Sequence, residues 1–243
     1  MACIPKRVVD QLLKENASHK CGDPAEVCVR IVAVAELPTI YGDYQVVAFE
    51  NNADKREHAA LVRGDIHEKE EVPVRLHSEC LTGDVMGSLR CDCREQLQQS
   101  LKTIGALDSG IILYLRQEGR GIGLINKIRA YQLQDSGYDT FQANEALGFK
   151  PDMRDYDLAA HMLQSLHVKS IKLMTNNLNK VRDLQRHGVK ITERIPIVIP
   201  PNKYNRFYLE TKKKGGQVLD RNEPEDILEQ GELVDHHHSG EAT

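Results

Sequence analysis

A change in hydrophobic spacing along the chain restricts the fold more than any other sequence feature. Between residues 27 and 79 the apolar residues form short β-rich runs, separated by turn residues such as Tyr41-Gly42-Asp43 and Asn51-Asn52. After Ser88 the spacing becomes helical, and helical segments alternate with strand-like runs such as GIILYLRQ and SIKLMTN. This alternation is typical of a sheet flanked by helices. We therefore predict an α/β fold: a three-layer α/β/α body with a mixed sheet, preceded by a β-rich N-terminal half.

The chain divides into three segments by composition. Its 243 residues, 40% of them hydrophobic, are sufficient for one sizeable core. We expect residues 1–26 to form an extension and residues 27–214 to form the main domain. Residues 215–243 are acidic and poor in core residues, which predicts a disordered tail. The three histidines of that tail are expected to be solvated, because no partner ligands lie near them in sequence.

Charge and cysteine usage narrow the class of protein. Lys and Arg number 32 against 36 Asp and Glu, a net charge of -4, which argues against a nucleic-acid-binding domain. No apolar run approaches the roughly 20 residues of a membrane span, and the charged N-terminus lacks a signal-peptide core. We predict a cytoplasmic protein without membrane or nucleic-acid partners. Its six cysteines are expected to be reduced thiols or metal ligands rather than a disulfide framework.

Three cysteines crowd into the segment HSECLTGDVMGSLRCDC. A structural zinc site normally has four protein ligands, whereas a catalytic site keeps its fourth position for water and lowers the pKa of that water towards about 7. Cys80, Cys91 and Cys93 are therefore predicted to hold one zinc ion that takes part in hydrolysis. The alternative is a structural site closed by His77, although structural sites prefer paired C-x2-4-C spacing.

The segment His77-Ser78-Glu79 offers another interpretation of the same cluster. It matches the H-x-E half of the zinc deaminase signature, in which the glutamate transfers protons. The P-C-x-x-C half is missing, because Cys91-Asp92-Cys93 has the wrong spacing. The deaminase interpretation is therefore disfavoured.

A glycine-bearing turn and a group of cations predict where an anionic ligand binds. The run GIILYLRQ leads into residues 118–123, EGRGIG, before a helix. Such a turn at the carboxyl end of a strand is a common nucleotide site, and glycines allow the backbone to approach a ligand closely. Guanidinium groups suit phosphate oxygens. The cations considered for a triphosphate near the zinc are Arg75, Arg116, Arg120, Arg129, Arg154 and Lys180.

Six motifs, in order, resemble the GTP cyclohydrolase II family of riboflavin biosynthesis. They are RLHSECLTGD, SLRCDC, RQEGRGIGL, KIRAYQLQ, LGFKPDMRDY and LMTNN, and the resemblance covers roughly residues 28–212. The 3,4-dihydroxy-2-butanone 4-phosphate synthase domain that is fused to many members has no room in this chain. The sequence therefore resembles the stand-alone form.

The resemblance implies roles for individual residues. It makes Cys80, Cys91 and Cys93 the zinc ligands, Asp152 a proton acceptor and Arg154 a nucleophile towards the α-phosphorus. Because a guanidinium stays charged, stabilisation of the transition state is the competing role for Arg154. We predict that Tyr131 positions a water molecule, the alternative being that its ring only packs there. The residues implied in GTP binding are Arg75, Leu76, His77, Ser78, Glu79, Gln96, Glu118, Gly119, Arg120, Thr140, Thr175 and Lys180.

The implied reaction opens the imidazole ring of GTP at C8 and releases formate and pyrophosphate, as the first step of riboflavin biosynthesis. One Zn²⁺ per chain, Mg²⁺ with the triphosphate, and a homodimer are implied as well. Two alternatives stay open: a homologue that opens the ring but retains the formyl group, and a zinc-stabilised nucleic-acid-binding module.

Overall fold

The computed structural model describes residues 3–19, 26–54, 56–150, 152–205 and 209. The tail predicted for residues 215–243 lies outside the described residues, as do parts of the N-terminal extension. Within the described part of the chain, every helix is too short or too polar to cross a membrane.

Seven strands form a single mixed sheet in the order β1-β2-β3-β5-β4-β6-β7. The first four strands in that order are joined antiparallel, and β5, β4, β6 and β7 run parallel to one another. The predicted α/β fold with a mixed sheet is thus confirmed. The strands are β1 Val29–Thr39, β2 Gly42–Asn51, β3 His58–Arg63, β4 Val72–Ser78, β5 Gly110–Leu115, β6 Ile171–Met174 and β7 Ile191–Ile195.

The β-rich N-terminal half is part of this same sheet. Strand β3 pairs antiparallel with β5, and Leu61 lies opposite Ile112. The pairing gives the N-terminal hairpin strands and the later parallel strands a common core. Sequence spacing predicted the strands individually, whereas their union depends on a pairing between segments about 50 residues apart.

Helices cover both faces of the sheet. Ile111, Leu113 and Leu115 of β5 pack in one core cluster with side chains from the first, sixth and seventh helices. Ile112, on the opposite face, packs with Ile104 of the third helix. The body therefore has three layers, as predicted. The helices are α1 Lys6–Ser18, α2 Leu81–Asp84, α3 Cys93–Gly105, α4 Gly123–Asp135, α5 Thr140–Ala146, α6 Asp157–Ser165 and α7 Leu178–Arg186.

The described part of the N-terminal extension packs onto the sheet through α1. Leu12 is 1% exposed and belongs to the larger core cluster. The Asn16 side chain accepts a 2.8 Å hydrogen bond from the backbone N–H of Ile31 in β1. Farther along, Cys28 is disulfide-bonded, so the expectation that all six cysteines are thiols or metal ligands is wrong at this position.

The carboxyl ends of β4, β5 and β6 meet at one edge of the sheet. The chain passes from β4 to its neighbour β5 through α3, and later returns to the other side of β4 as β6. Helix α3 lies on one face and α6 on the other. The connections therefore diverge at β4, and such a switch point leaves a crevice where α/β proteins bind ligands.

Candidate active site

The three predicted cysteines meet at this crevice. Cys80 follows β4, and Cys91 and Cys93 lie just before and at the start of α3. Their sulfur atoms lie within 4.8 Å of one another, and those of Cys80 and Cys91 are 3.6 Å apart. A Cβ atom on Gly83 would lie 2.9 Å from the Cys91 Sγ, so only glycine leaves the sulfurs in place. Three converging soft ligands in a close-fitting cradle fit a zinc ion.

The local charge distribution favours the thiolate form of Cys80. Hydrogen bonds from Cys91 and Cys93, together with the nearby ammonium of Lys127, lower the pKa of Cys80 well below its ordinary value. Donation to Cys80 raises the pKa of Cys91 to about 11 and also raises the pKa of Cys93. The Lys127 Nζ lies 3.1 Å from the Cys80 Sγ. The trio therefore holds negative charge, which is the form that binds a metal.

Asp84 anchors the first cysteine through a buried network. Its Oδ2 accepts the backbone N–H of Cys80 at 3.0 Å and the Tyr114 hydroxyl at 2.9 Å. The same carboxylate lies 3.0 Å from the Nε2 of His77, whose ring stacks on Tyr114. Burial lowers the pKa of His77. The histidine belongs to this network and is not grouped with the three sulfurs, which disfavours the closed four-ligand alternative.

Glu118 and the glycine turn hold the other side of the site. Residues Glu118–Gly121 form a 3-10 turn in which Gly119 and Arg120 have φ values of 62° and 59°. The Glu118 carboxylate accepts backbone N–H groups of Leu81 at 2.6 Å and of Gly119 at 2.7 Å. It also pairs with Lys127 at 2.7 Å. Glu118 therefore links the turn to α2 and α4, besides lining the cavity described below.

Buried cations lie next to the cysteines. The Arg75 guanidinium donates to the Met174 carbonyl at 3.0 Å and to the Gln96 Oε1 at 2.6 Å. Burial lowers the pKa of Arg75 to about 10, which leaves it charged at neutral pH. Lys180, at the start of α7, donates to the Leu76 carbonyl at 2.9 Å. Two buried positive charges at the strand ends suit a polyanion.

Arg154 and Asp152 form a two-point ion pair. The Arg154 Nε donates to the Asp152 Oδ1 at 2.8 Å, and its terminal nitrogen donates to the Oδ2. Burial alone raises the pKa of Asp152, but the hydrogen bonds and charge of Arg154, with Arg120 nearby, hold it below the usual range. Asp152 is therefore ionised and Arg154 is a paired cation at neutral pH.

Tyr131 on α4 completes the wall beside the cysteines. Its hydroxyl lies 3.3 Å from the Thr82 Oγ1, and the Arg90 guanidinium lies 4.8 Å from its ring centroid. Burial raises the pKa of Tyr131, so the phenol keeps its proton. A protonated hydroxyl here can donate a hydrogen bond into the cavity.

These groups surround a cavity that opens to solvent. All the predicted zinc-binding, GTP-binding and catalytic residues line it except Leu76 and Asp152. Of the cations considered for the triphosphate, Arg116 and Arg129 do not line it. The Leu76 side chain points into the core on the opposite face, and only its carbonyl serves the site through Lys180. Asp152 does not line the cavity, but it pairs with Arg154, which does.

Several lining residues were not assigned a role from the sequence. Buried Asn144 could have been suspected, because buried amides need partners. Asp84 lies four residues after Cys80, a spacing that lets a carboxylate reach back to a helix N-terminus. The lining residues outside the predicted set are Arg90, Gln117, Ile122, Lys127, Ala130, Gln134, Asn144, Asn176 and Asn177.

Fold and site together define an α/β enzyme with a cysteine trio that could hold a metal ion beside a cation-lined cavity. The family model described as GTP cyclohydrolase II matches residues 29–196. The chain therefore belongs to the GTP cyclohydrolase II family.

Individual relatives agree with this assignment. The chain is 53% identical over 186 residues to the GTP cyclohydrolase-2 of Picrophilus torridus, covering 76% of this chain and 96% of that protein. It is 52% identical over 185 residues to the riboflavin biosynthesis protein RibBA of Endomicrobium trichonymphae, of which it covers 46%. A solved structure also matches, that of RibBX, a two-domain 3,4-dihydroxy-2-butanone 4-phosphate synthase from A. baumannii. The match covers 69% of this chain and 38% of that one. That match has 14% identity and a TM-score of 0.34, too low to carry an argument.

Proposed function

We propose that this protein is a GTP cyclohydrolase II that catalyses the first step of riboflavin biosynthesis. Two waters add at C8 of guanine, so the imidazole ring opens and the carbon leaves as formate. A third water cleaves the bond to the α-phosphorus and releases pyrophosphate, which leaves a diaminopyrimidine phosphoribosyl product. The observation that carries the proposal is the cysteine trio opening into a cation-lined cavity, in a chain whose residues 29–196 match this family.

Cys80, Cys91 and Cys93 would hold one Zn²⁺. When bound, zinc supplies a Lewis acid and lowers the pKa of a water ligand. Asp84 fixes the backbone of Cys80, and Lys127 offsets part of the negative charge of the sulfurs. Such surrounding contacts orient metal ligands and tune their basicity. The residues of the chain thus prepare the site for a cation.

The triphosphate is assigned to the cations at the strand ends. Arg75 and Lys180 are buried and held by backbone carbonyls, so their charges are fixed in position before a ligand arrives. Preorganised charges of this kind stabilise a developing pyrophosphate leaving group. Mg²⁺ would accompany the triphosphate and offset part of its charge, and Thr140, Thr175 and Arg120 along the same cavity are proposed to contact the phosphates.

Arg154 is proposed to stabilise charge at the α-phosphorus. Its two-point pair with Asp152 keeps the guanidinium protonated, and a cation is a poor nucleophile. Asp152 orients Arg154 through this pair. A trapped guanylyl adduct under single turnover, detected by mass spectrometry, would instead support the nucleophile implied by the family resemblance.

Tyr131 is proposed to position water for the second addition at C8. Its hydroxyl keeps its proton, contacts Thr82 and lies on the wall beside the cysteine trio. The hydroxyl can therefore donate to an oxygen held near the reacting carbon. If Tyr131→Phe formed formate and diaminopyrimidine at the normal rate, the ring would have only a packing role.

The deciding experiment uses the full chain with GTP, Zn²⁺ and Mg²⁺, and measures formate and pyrophosphate separately. We expect both products, and we expect Cys91→Ser to lose the zinc of the cysteine trio and both activities. A Cys91→Ser protein that kept its zinc and its turnover would refute the proposal.

Product mass identifies a homologue that retains the formyl group. The cytoplasmic location and the homodimer remain predictions. Size-exclusion chromatography with light scattering tests the oligomeric state.

A further inference from the structure

A second group of metal-ligand side chains lies at the edge of the sheet opposite the cysteines. His67 and Glu68 precede β4, and His167 precedes β6. Because β4 and β6 are parallel neighbours, the loops that lead into them meet at the amino edge of the sheet. Three ligand atoms, one from each residue, lie within 4.8 Å of one another.

The spacing of these atoms suits a transition-metal ion. The Nδ1 of His167 lies 3.4 Å from the Oε1 of Glu68, and the two imidazole centroids are 5.1 Å apart with their planes inclined by 53°. Metal–ligand distances of about 2.0–2.2 Å in a tetrahedral site place neighbouring ligand atoms about 3.3–3.5 Å apart. Small side-chain rotations therefore bring all three atoms onto one ion.

His67 supplies an independent observation. Its Nδ1 is buried and has no hydrogen-bond partner among the described residues. A buried ring nitrogen that makes no bond costs free energy, and such a group needs an explanation. Coordination of a cation through this Nδ1 would supply the missing partner.

Neighbouring side chains hold His167 and Glu68 so that the Nδ1 of His167 and the Oε1 of Glu68 face each other. Glu15 of α1 lies 3.2 Å from the Nε2 of His167, the arrangement in which a carboxylate orients a metal-binding imidazole. With the proton on Nε2, the Nδ1 presents a lone pair. Lys169 holds the Oε2 of Glu68 at 3.0 Å, so Oε1 remains on the side of His167.

The backbone fixes these residues in an unusual conformation. Glu68 and His167 have φ values of 57° and 56°, in the left-handed region that non-glycine residues rarely adopt. The backbone N–H of Glu68 donates to the His167 carbonyl at 2.9 Å and joins the two loops. Conformations of this kind persist where the surrounding structure imposes them, often at ligand sites.

We propose that His67, Glu68 and His167 form a second site for a divalent transition-metal ion of the zinc type, which ties α1 to the two loops through Glu15. Imidazole and carboxylate ligands suit Zn²⁺, Co²⁺ or Ni²⁺ better than Mg²⁺ or Ca²⁺. The site is separate from the cysteine trio and raises the zinc content above the one ion per chain expected for the enzyme.

Another cluster serves as the matched control. Asp155, Asp183 and His187 also lie within 4.8 Å of one another. Their carboxylates already accept backbone N–H groups, Asp155 from Asp157 at 2.6 Å and Asp183 from Tyr156 at 3.0 Å. This cluster has one imidazole and serves the start of α6, so no metal is assigned to it.

The test counts zinc on the full chain. Asn replaces the tail residues His236, His237 and His238 throughout, so that the tail cannot compete for metal. After dialysis against stoichiometric ZnCl2, we expect two zinc ions per chain in this parent. His67→Ala and His167→Ala should each retain one, and His187→Ala should retain two. One ion in the parent, or two ions in either of the first two variants, would overturn the proposal.

Cobalt distinguishes the two sites within one protein. Co²⁺ on the cysteine trio gives a thiolate-to-metal charge-transfer band, whereas the second site has no sulfur and adds only weak d–d absorption. Glu15→Gln should weaken the second binding event about 10- to 100-fold and leave the charge-transfer titration unchanged. If the histidines and Glu68 merely form an ion-pair network with a doubly protonated His167, no second event appears. Formate release is measured separately, so failure here leaves the proposed activity standing.

Discussion

At the scale of single residues, Asp84 does more for the site than its position in the sequence suggests. Its carboxylate holds the Cys80 backbone, the Tyr114 hydroxyl and the His77 ring while being 3% exposed. In Asp84→Asn, the amide NH2 would face hydrogen-bond donors that the carboxylate now accepts. The substitution should lower the free energy of unfolding by about 1–3 kcal/mol. Zinc affinity should fall about 10- to 100-fold. Urea unfolding and a chelator competition measure the two effects.

A suitable control for Asp84 is Asp135, which pairs with Arg90 on the surface. Asp135→Asn should change the unfolding free energy by less than about 0.5 kcal/mol and leave zinc binding intact. Equal effects of the two substitutions would remove Asp84 from its anchoring role.

A second residue-scale prediction concerns pH. Arg154 holds the pKa of Asp152 below its ordinary value, so the folded protein binds fewer protons here than the unfolded chain does. This contribution is complete above the unfolded carboxyl pKa of about 3.9 and is lost as pH falls through the lower folded value. Asp152→Asn should therefore unfold with a flatter pH dependence than the wild type between neutral pH and pH ~3. Parallel urea titrations test this, and identical slopes would contradict it.

At the scale of elements, α2 shows what local pattern can and cannot predict. Gly83 lies inside this helix, where Ala is the better helix former by about 1 kcal/mol. Yet a Cβ there meets Cys91 Sγ at 2.9 Å and Cys80 Sγ at 3.1 Å. Gly83→Ala should therefore lose the zinc ion of the cysteine trio while the fold survives, as metal analysis and circular dichroism would record.

The control for Gly83 separates backbone strain from site geometry. Gly188 has a φ of 81° with open space around it, so Gly188→Ala strains the turn after α7 without reaching the site. It should lower stability by about 1 kcal/mol and keep its zinc. Normal zinc content in Gly83→Ala would show that the cysteines tolerate the displacement.

The same elements show why the sequence predicted part of the structure. Strands and helices follow from spacing, and the cysteine trio follows from its ligand types. Lys127 was overlooked because its role depends on α4 packing beside Cys80, 47 residues earlier in the chain. Likewise Leu76 was assigned to GTP from its motif, although strand alternation turns its side chain into the core and its neighbours Arg75 and His77 towards the cavity. The Lys127 contact is long-range and is not encoded in local pattern, whereas the orientation of Leu76 follows from the alternation of side chains along β4.

At the scale of the whole molecule, α1 lies outside residues 29–196, which carry the family match, yet it packs on the same sheet. Leu12 is buried with the β1 and β2 side chains, and Ile4 N–H donates to the Gln45 side chain at 2.8 Å. The helix should therefore unfold together with the domain. Leu12→Ala is expected to cost about 2–5 kcal/mol and to shift a single cooperative transition. The exposed neighbour Gln11→Ala should have little effect. If Leu12→Ala left the calorimetric transition of the domain unchanged, or split off a separate small transition, α1 would be an appendage rather than part of the enzyme core.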